Sequence, residues 1–338
     1  MMRNFLQLVI SDWRARQPYP RKIDLGDQRK GFFGQHRSGW PYALRLLSRL
    51  HTPRGIMLDS FIERTFCWQP GGPTANLKPW IGVIHIPPKV PVWFQSEQSN
   101  DFIFESQEWK KSLPYCRGLF TLSEYHRKHL QQRLPVPLAS LTHPTETPKL
   151  KWSWERFRAN PEKKIVQVGW WLRKLHTIFM LPTQSYKKIF LRITHADLNI
   201  LLKKEREILI REGTFHDRMY ETAQSVTFMP NADYDRLLAE NIVIVNLYDS
   251  SANNTVIECI VRNTPILVNP IEPIVEYLGP DYPLYFSSLE EAAAKAENPD
   301  LLYHTHCFLE NHPVKTRLTG DFFLRSFVNS QIYHDIEL

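Results

Sequence analysis

Residues 242–269 read IVIVNLYDSSANNTVIECIVRNTPILVN. An apolar run, IVIVNL (242–247), leads into a small polar stretch. A helical pattern, TVIECIVRN (255–263), follows, and then a second apolar run, PILVN (265–269). Continuous apolar strands that alternate with helices indicate a parallel sheet covered on both faces. The polar stretch therefore joins the carboxyl end of a strand to the amino end of a helix. A helix start presents unpaired N–H groups and the positive end of the macrodipole, which suits a phosphate. Asn253, Asn254 and Thr255 can cap this helix and add donors. No acidic or large side chain occurs in 250–255 to repel an anion. Glu258 follows one turn later, at the level of a ribose. On this stretch alone, a plain cap followed by a solvated glutamate accounts for the same residues equally well.

The rhythm extends outward. KIVQV (164–168), KIFLRI (188–193), SVTFM (225–229) and YPLYF (282–286) add four strands, making six. Helices are expected from Ala196, with Asp197 at its start and Gly213 as its stop, from Asn231, over IEPIVEYLG to Gly279, and over 288–296. This predicts a doubly wound, Rossmann-like domain over 151–318. The first half repeats the alternation over 1–150. It has a helix at 40–50, strands at 55–60, 80–86 and 117–123, a helix at 123–134 capped by Ser123, and PLASLTH (137–143). FLQLVI (5–10) is short for the core of a secretory signal and reads as a first buried strand. The polar segment PTETPKLKWSWERFRANPEK (144–163) reads as the boundary. The tail 319–338 is helical in pattern, with an apolar face expected to cross back to the first domain. Two such α/β halves face each other across a cleft, at the sheet edge where open α/β sheets bind ligands.

Composition narrows the function classes. A chain of 338 residues with 43% apolar and 23% charged residues is a folded protein of two ordinary domains. Its net charge of +7 suits an anionic ligand, a membrane surface or nucleic acid. The basic residues are scattered rather than striped with aromatics, so nucleic acid is the lesser reading. No window approaches the ~20 apolar residues of a membrane helix. Cys67, Cys116, Cys259 and Cys307 form no CxxC pair, which fits a reduced, cytoplasmic chain. His304-Thr305-His306-Cys307 has no distant ligand pair and reads as ordinary helix or loop surface.

LYDSSANNTVIECIVRNTPILV (247–268) resembles the nucleotide-sugar motif of GT-B-fold glycosyltransferases of the glycogen-synthase and mannosyltransferase type (group 1). Glu258 matches the second glutamate of that motif, and Asn263-Thr264-Pro265 its Gly-Thr-Pro. The resemblance implies that Glu258 binds the donor ribose and that Asn253, Asn254 and Thr255 meet the diphosphate. Asp249 stands near the place of the first, sugar-side glutamate as a catalytic candidate. Its spacing from Glu258 is one residue longer than in the family, and Ser, Ala and Asn replace the glycines of the turn. KIVQVGWWLRKLHTIFML (164–181) resembles the first strand and loop of the family's donor domain, which implies diphosphate contacts from Gly169, Arg173 and Lys174. SVTFMPNADYDRLL resembles the segment that holds the base, placing Met229 and Pro230 near it. WIGVIHIPP (80–88) puts His85 where the family has a histidine facing the donor sugar, a second catalytic candidate. GFFGQHRSGWPYALRLLSRL (31–50) occupies the place of the acceptor-side loop, with Gly34, Arg37, Ser38 and Gly39.

The implied activity is transfer of a sugar from a nucleoside diphosphate sugar to a hydroxyl of a glycan or lipid-linked glycan. It would proceed with retention, without cofactor or metal, and a peripheral membrane contact would accompany a lipid-linked acceptor. Two other readings stay open. One is a GT-B protein that binds sugar nucleotides without transferring, such as an epimerase or a degenerate binding module. The other is a basic nucleic-acid-binding protein.

Overall fold

The computed structural model describes residues 19–30, 39–192, 196–227 and 229–337. The expected first strand FLQLVI lies outside them. Two five-stranded parallel sheets form, the two-domain α/β architecture expected from the alternation of strands and helices.

The second sheet contains β6 (Lys164–Val168), β7 (Lys187–Leu191), β8 (Ala223–Val226), β9 (Ile242–Val245) and β10 (Ile266–Val268). Their spatial order is β10-β9-β6-β7-β8. The chain runs outward from β6 on one side, then returns to continue from β9 on the other. Strand order thus reverses between β6 and β9, and a crevice opens at their carboxyl ends. β9 and β10 are buried at every residue, as continuous apolar runs require. YPLYF is not a sixth strand. It makes a single bridge, Val268 to Tyr285, because the Ile266 N–H and carbonyl that a further rung would use are both bonded to the Tyr282 hydroxyl, at 3.0 and 2.8 Å. The strands expected at 188–193 and 225–229 end earlier, at Leu191 and Val226.

Between β9 and β10 runs the helix Asn254–Arg262. It ends at Asn263, which adopts the left-handed conformation with φ 62°. Glycine is the usual residue there, and asparagine is the side chain that best tolerates it. The Thr264 N–H then closes back on the Cys259 carbonyl at 2.9 Å. Asparagine therefore replaces the first residue of Gly-Thr-Pro without changing the turn.

The first sheet runs in chain order: β1 (Ile23–Asp24), β2 (Ile56–Asp59), β3 (Trp80–Val83), β4 (Cys116–Thr121) and β5 (Leu138–Ser140). β3 stops at Val83, so His85 sits in the loop beyond the strand's carboxyl end. One core on this sheet joins Ile23, Leu44, Leu58 and Ile81 to residues from the end of the chain: Phe323, Leu324, Phe327 and Ile332. Phe327 stacks on Phe120 of β4 at 4.7 Å. The Lys22 ammonium donates to the Ile336 carbonyl at 2.7 Å. Burying each of these large side chains contributes about 1.5–3 kcal/mol, so the last two helices are part of the first domain's core.

Candidate active site

A cavity of about 710 Å³ opens between the two sheets, at the carboxyl ends of β6, β7, β8 and β9. The loop after β6 begins with Gly169 at φ 78°. A side chain there would be strained, and its Cβ would stand 3.0 Å from Arg173 Cζ, because the guanidinium lies directly over this residue. Arg173 is 9% exposed. Its NH1 donates to the Trp171 carbonyl at 2.9 Å and its NH2 to Thr255 Oγ1 at 3.1 Å, while its buried Nε has no partner. Among the described residues no carboxylate pairs with it. Burial lowers its pKa to about 10. A buried charge without a counter-ion is costly, and a guanidinium in a cavity is satisfied by an anion that accepts two parallel hydrogen bonds.

Glu205 ties this loop to the next. Its carboxylate accepts from the Leu175 N–H (3.1 Å), the His176 N–H (3.0 Å), His176 Nδ1 (2.6 Å) and the Tyr248 hydroxyl (2.6 Å). Tyr248 precedes the loop after β9, which carries Asp249 to Thr255. There Asn253 Oδ1 caps the helix by accepting from the Val256 N–H at 3.2 Å. That leaves the N–H groups at Asn254 and Thr255 with no intrahelical partner. Glu258 faces the same cavity, 4% exposed, and accepts from the Tyr234 hydroxyl at 2.5 Å through Oε2.

The first domain supplies the opposite wall. His85 stacks on Phe61 with ring centroids 3.9 Å apart and meets Trp40 edge-on at 4.4 Å. Its Nε2 lies 3.0 Å from the Ser60 carbonyl, so Nε2 carries the proton and Nδ1 keeps a lone pair. Burial lowers its pKa to about 3, so the ring is neutral near pH 7. Asp249 reaches across the cleft. Its Oδ2 accepts from the Lys89 N–H at 2.8 Å and the Tyr125 hydroxyl at 3.1 Å, and burial raises its pKa. Ser251 makes a second crossing, with its Oγ 3.0 Å from His126 Nδ1.

The cavity thus gathers Gly169, Arg173, Met229, Asp249, Asn253, Asn254, Thr255, Glu258 and His85. Other expected residues fall elsewhere. Lys174 is exposed, with its ammonium over the Tyr248 ring at 5.9 Å. The loop turns at Leu172 (φ 50°) and aims consecutive side chains apart. Pro230 precedes the helix Asn231–Glu240 and stands between Met229 and Asn231, both of which line the cavity. Gly39 precedes the helix Trp40–Leu47 and does not line the cavity, though the next residue, Trp40, packs on His85. Gly34, Arg37 and Ser38 lie outside the described residues. Arg192, Tyr234, Trp170 and Trp171 line the cavity without having been singled out. Arg192 was legible in principle as the charge that ends the apolar run KIFL.

Among the described residues no three His, Cys, Asp or Glu side chains cluster to hold a metal ion. The sequence does contain one Asp-x-Asp, Asp233-Tyr234-Asp235, on the helix Asn231–Glu240. Asp235 pairs with Arg262 at 2.8 Å, and Asp233 lies 3.8 Å from Arg236. His304 is exposed, but His306 is not surface as expected. It is buried against Trp152, with Nδ1 3.3 Å from the Asn263 carbonyl.

No protein-family model matches the chain, and no curated protein matches it. Solved structures do. TarM of S. aureus, in complex with Fondaparinux, alpha-GlcNAc-glycerol and UDP, aligns with a TM-score of 0.52 at 11% identity, over 76% of this chain and 51% of that one. An alpha,alpha-trehalose-phosphate synthase (UDP-forming) from Burkholderia vietnamiensis aligns at 0.50 and 14% identity, over 87% and 78%. Sucrose-phosphate synthase from Thermosynechococcus elongatus aligns at 0.57 and 11% identity, over 73% and 66%. The chain spans about half the length of the TarM chain.

Proposed function

We propose that this chain, which has the GT-B fold, is a glycosyltransferase that moves a sugar from a nucleoside diphosphate sugar to a hydroxyl of a glycan or lipid-linked glycan. The observation that carries this reading is Arg173, a buried guanidinium with an unpartnered Nε, facing a cavity at a helix start. It is a ready counter-ion for a diphosphate. The structural likeness to a UDP-forming synthase and to a UDP complex supports the same ligand class.

In the reaction the bond from the anomeric carbon to the diphosphate oxygen breaks, and the diphosphate keeps the electron pair. The acceptor oxygen forms the new bond to that carbon, and its proton passes to the departing diphosphate. Arg173 and the N–H groups at Asn254 and Thr255 stabilise the charge that builds on the leaving group. Glu258 accepts from the ribose hydroxyls. His85 Nδ1 accepts from a hydroxyl of the donor sugar. Both cavity carboxylates, Asp249 and Glu258, are already hydrogen-bonded. The departing diphosphate is then the base that takes the acceptor's proton, which puts the acceptor on the face the diphosphate leaves and retains the anomeric configuration. No step calls for a metal ion. No helix of the described residues is long and apolar enough to cross a membrane, and a lipid-linked acceptor would be met at the membrane surface.

Titration with nucleoside diphosphates, followed by turnover assays with the matching sugar donors, tests this. Binding that is lost in Arg173→Ala, with sugar-dependent release of the diphosphate, supports the proposal. Binding without turnover would favour the non-transferring GT-B reading, which the engagement of Asp249 by Lys89 and Tyr125 also suits. Stabilisation by DNA or RNA alone would overturn both.

A further inference from the structure

Arg192 is the second guanidinium in the cavity, and the reaction above gives it no task. It follows β7, one strand beyond β6 on the side away from the Arg173–Thr255 contact. Asn199, on the helix Ala196–Arg211, accepts from its NH1 at 3.3 Å and steadies the group. Its Nε is buried without a partner. Among the described residues it makes no ion pair with a carboxylate.

The order of groups along the cavity indicates what it meets. This assignment rests on the donor reading above. The diphosphate occupies the β6–β9 end, under Arg173 and the helix start. Glu258 leans toward Tyr234, on the helix after β8, so the ribose points that way. Adjacent strands lie about 4.8 Å apart, so the ends of β7 and β8 stand one and two strand spacings from Gly169. Beyond the ribose, a nucleotide presents its base there. Met229 and Thr227 line this end of the cavity beside Arg192. Met229 offers an apolar, polarisable surface to a ring face. Arg192 offers only donors, since a guanidinium has no acceptor.

We propose that Arg192 reads the edge of the donor base and restricts it to a base carrying a carbonyl acceptor on that edge, uracil or guanine. Guanine O6 and N7 accept from one arginine together, and uracil O4 accepts without a competing amino group. Adenine and cytosine present amino donors on the corresponding edge, which would face the guanidinium donor to donor.

Calorimetric titration of the full chain with UDP, GDP, CDP, ADP and inorganic pyrophosphate tests this, using the wild type, Arg192→Ala and Arg173→Ala. The wild type is expected to bind UDP or GDP at least about 10-fold more tightly than CDP and ADP. Arg192→Ala should lose that preference while holding pyrophosphate as before. Arg173→Ala should lose all five ligands. A wild type that prefers CDP or ADP would overturn the proposal. So would an Arg192→Ala variant that keeps its preference, or that loses every nucleotide and pyrophosphate equally, which would make Arg192 a phosphate contact. In each of those cases loss of all ligands in Arg173→Ala would leave the donor reading standing. Failure of the wild type to bind any of the five would remove both.

Discussion

Arg173 and Glu63 are both ionisable, both buried and both close to the same cleft, one on each wall. Glu63 is fully buried in the first domain. Its Oε1 accepts from the His85 and Ile86 N–H groups at 2.6 and 2.7 Å. Burial raises its pKa to about 7, so a proton can neutralise the group where no partner reaches Oε2. Arg173 has no such escape, because a guanidinium stays charged near neutral pH even with its pKa lowered to about 10. Its charge is left for something outside the chain. Glu63 shapes the wall by fixing the backbone that carries His85, whereas Arg173 leaves an unmet need in the opposite wall. An unmet charge in a cavity marks a ligand, and a met one marks scaffold.

Several substitutions can break or sharpen that contrast. The largest effect is expected at Arg173→Met. Losing two or more charge-assisted hydrogen bonds of about 1.5–3 kcal/mol each should weaken nucleoside diphosphate binding about 100-fold or more, read by calorimetric titration. The ligand-free variant should melt no lower than the wild type, because an uncompensated buried charge has been removed.

Glu63 should control a pH dependence instead. Its proton is held up to about pH 7 in the folded protein but only to the ordinary carboxyl value of 4.5 when exposed. Unfolding therefore releases a proton between those values, and stability falls as pH rises through that window. The expected decline is on the order of 3 kcal/mol. Glu63→Gln should flatten it in denaturant titrations at several pH values.

Glu258→Ala should weaken nucleotides about 10-fold, the worth of a charge-assisted hydrogen bond. Pyrophosphate, which has no ribose, should bind as before in the same titration. The smallest effect belongs to Asp249→Asn. It keeps one acceptor for the Lys89 and Tyr125 donors across the cleft, so it should cost about 1 kcal/mol of stability in chemical denaturation.

The two walls also differ in how far they could be read beforehand. β9, β10 and the helix between them were legible because each strand is a continuous apolar run and the helix carries a cap, Asn253, and a stop, Asn263. Those signals are local and reflect backbone geometry. The sixth strand fails on one side chain: the Tyr282 hydroxyl takes the Ile266 N–H and carbonyl that the ladder would need. Arg173 and Lys174 looked equivalent as neighbours. Only the left-handed turn at Leu172 sends one inward and the other to solvent. Asp249 reads as a group facing the sugar; it lines the cavity, and its bonds to Lys89 and Tyr125, more than a hundred residues away, are what the sequence does not show. Contacts of that range leave no periodicity to read. Arg192 is harder to single out, because the sequence reads it equally as part of the strand KIFLRI and as a charge placed at the strand's end.

The most direct test is scanning calorimetry of the wild type and Arg173→Met, each with and without saturating UDP and GDP. A ligand at 100 times its dissociation constant stabilises the native state by about 2.7 kcal/mol, a shift of several degrees. The account predicts that shift in the wild type alone, with the ligand-free variant melting at or above the ligand-free wild type. Equal shifts in both proteins, or a ligand-free variant that melts well below the wild type, would contradict it and make Arg173 a structural residue.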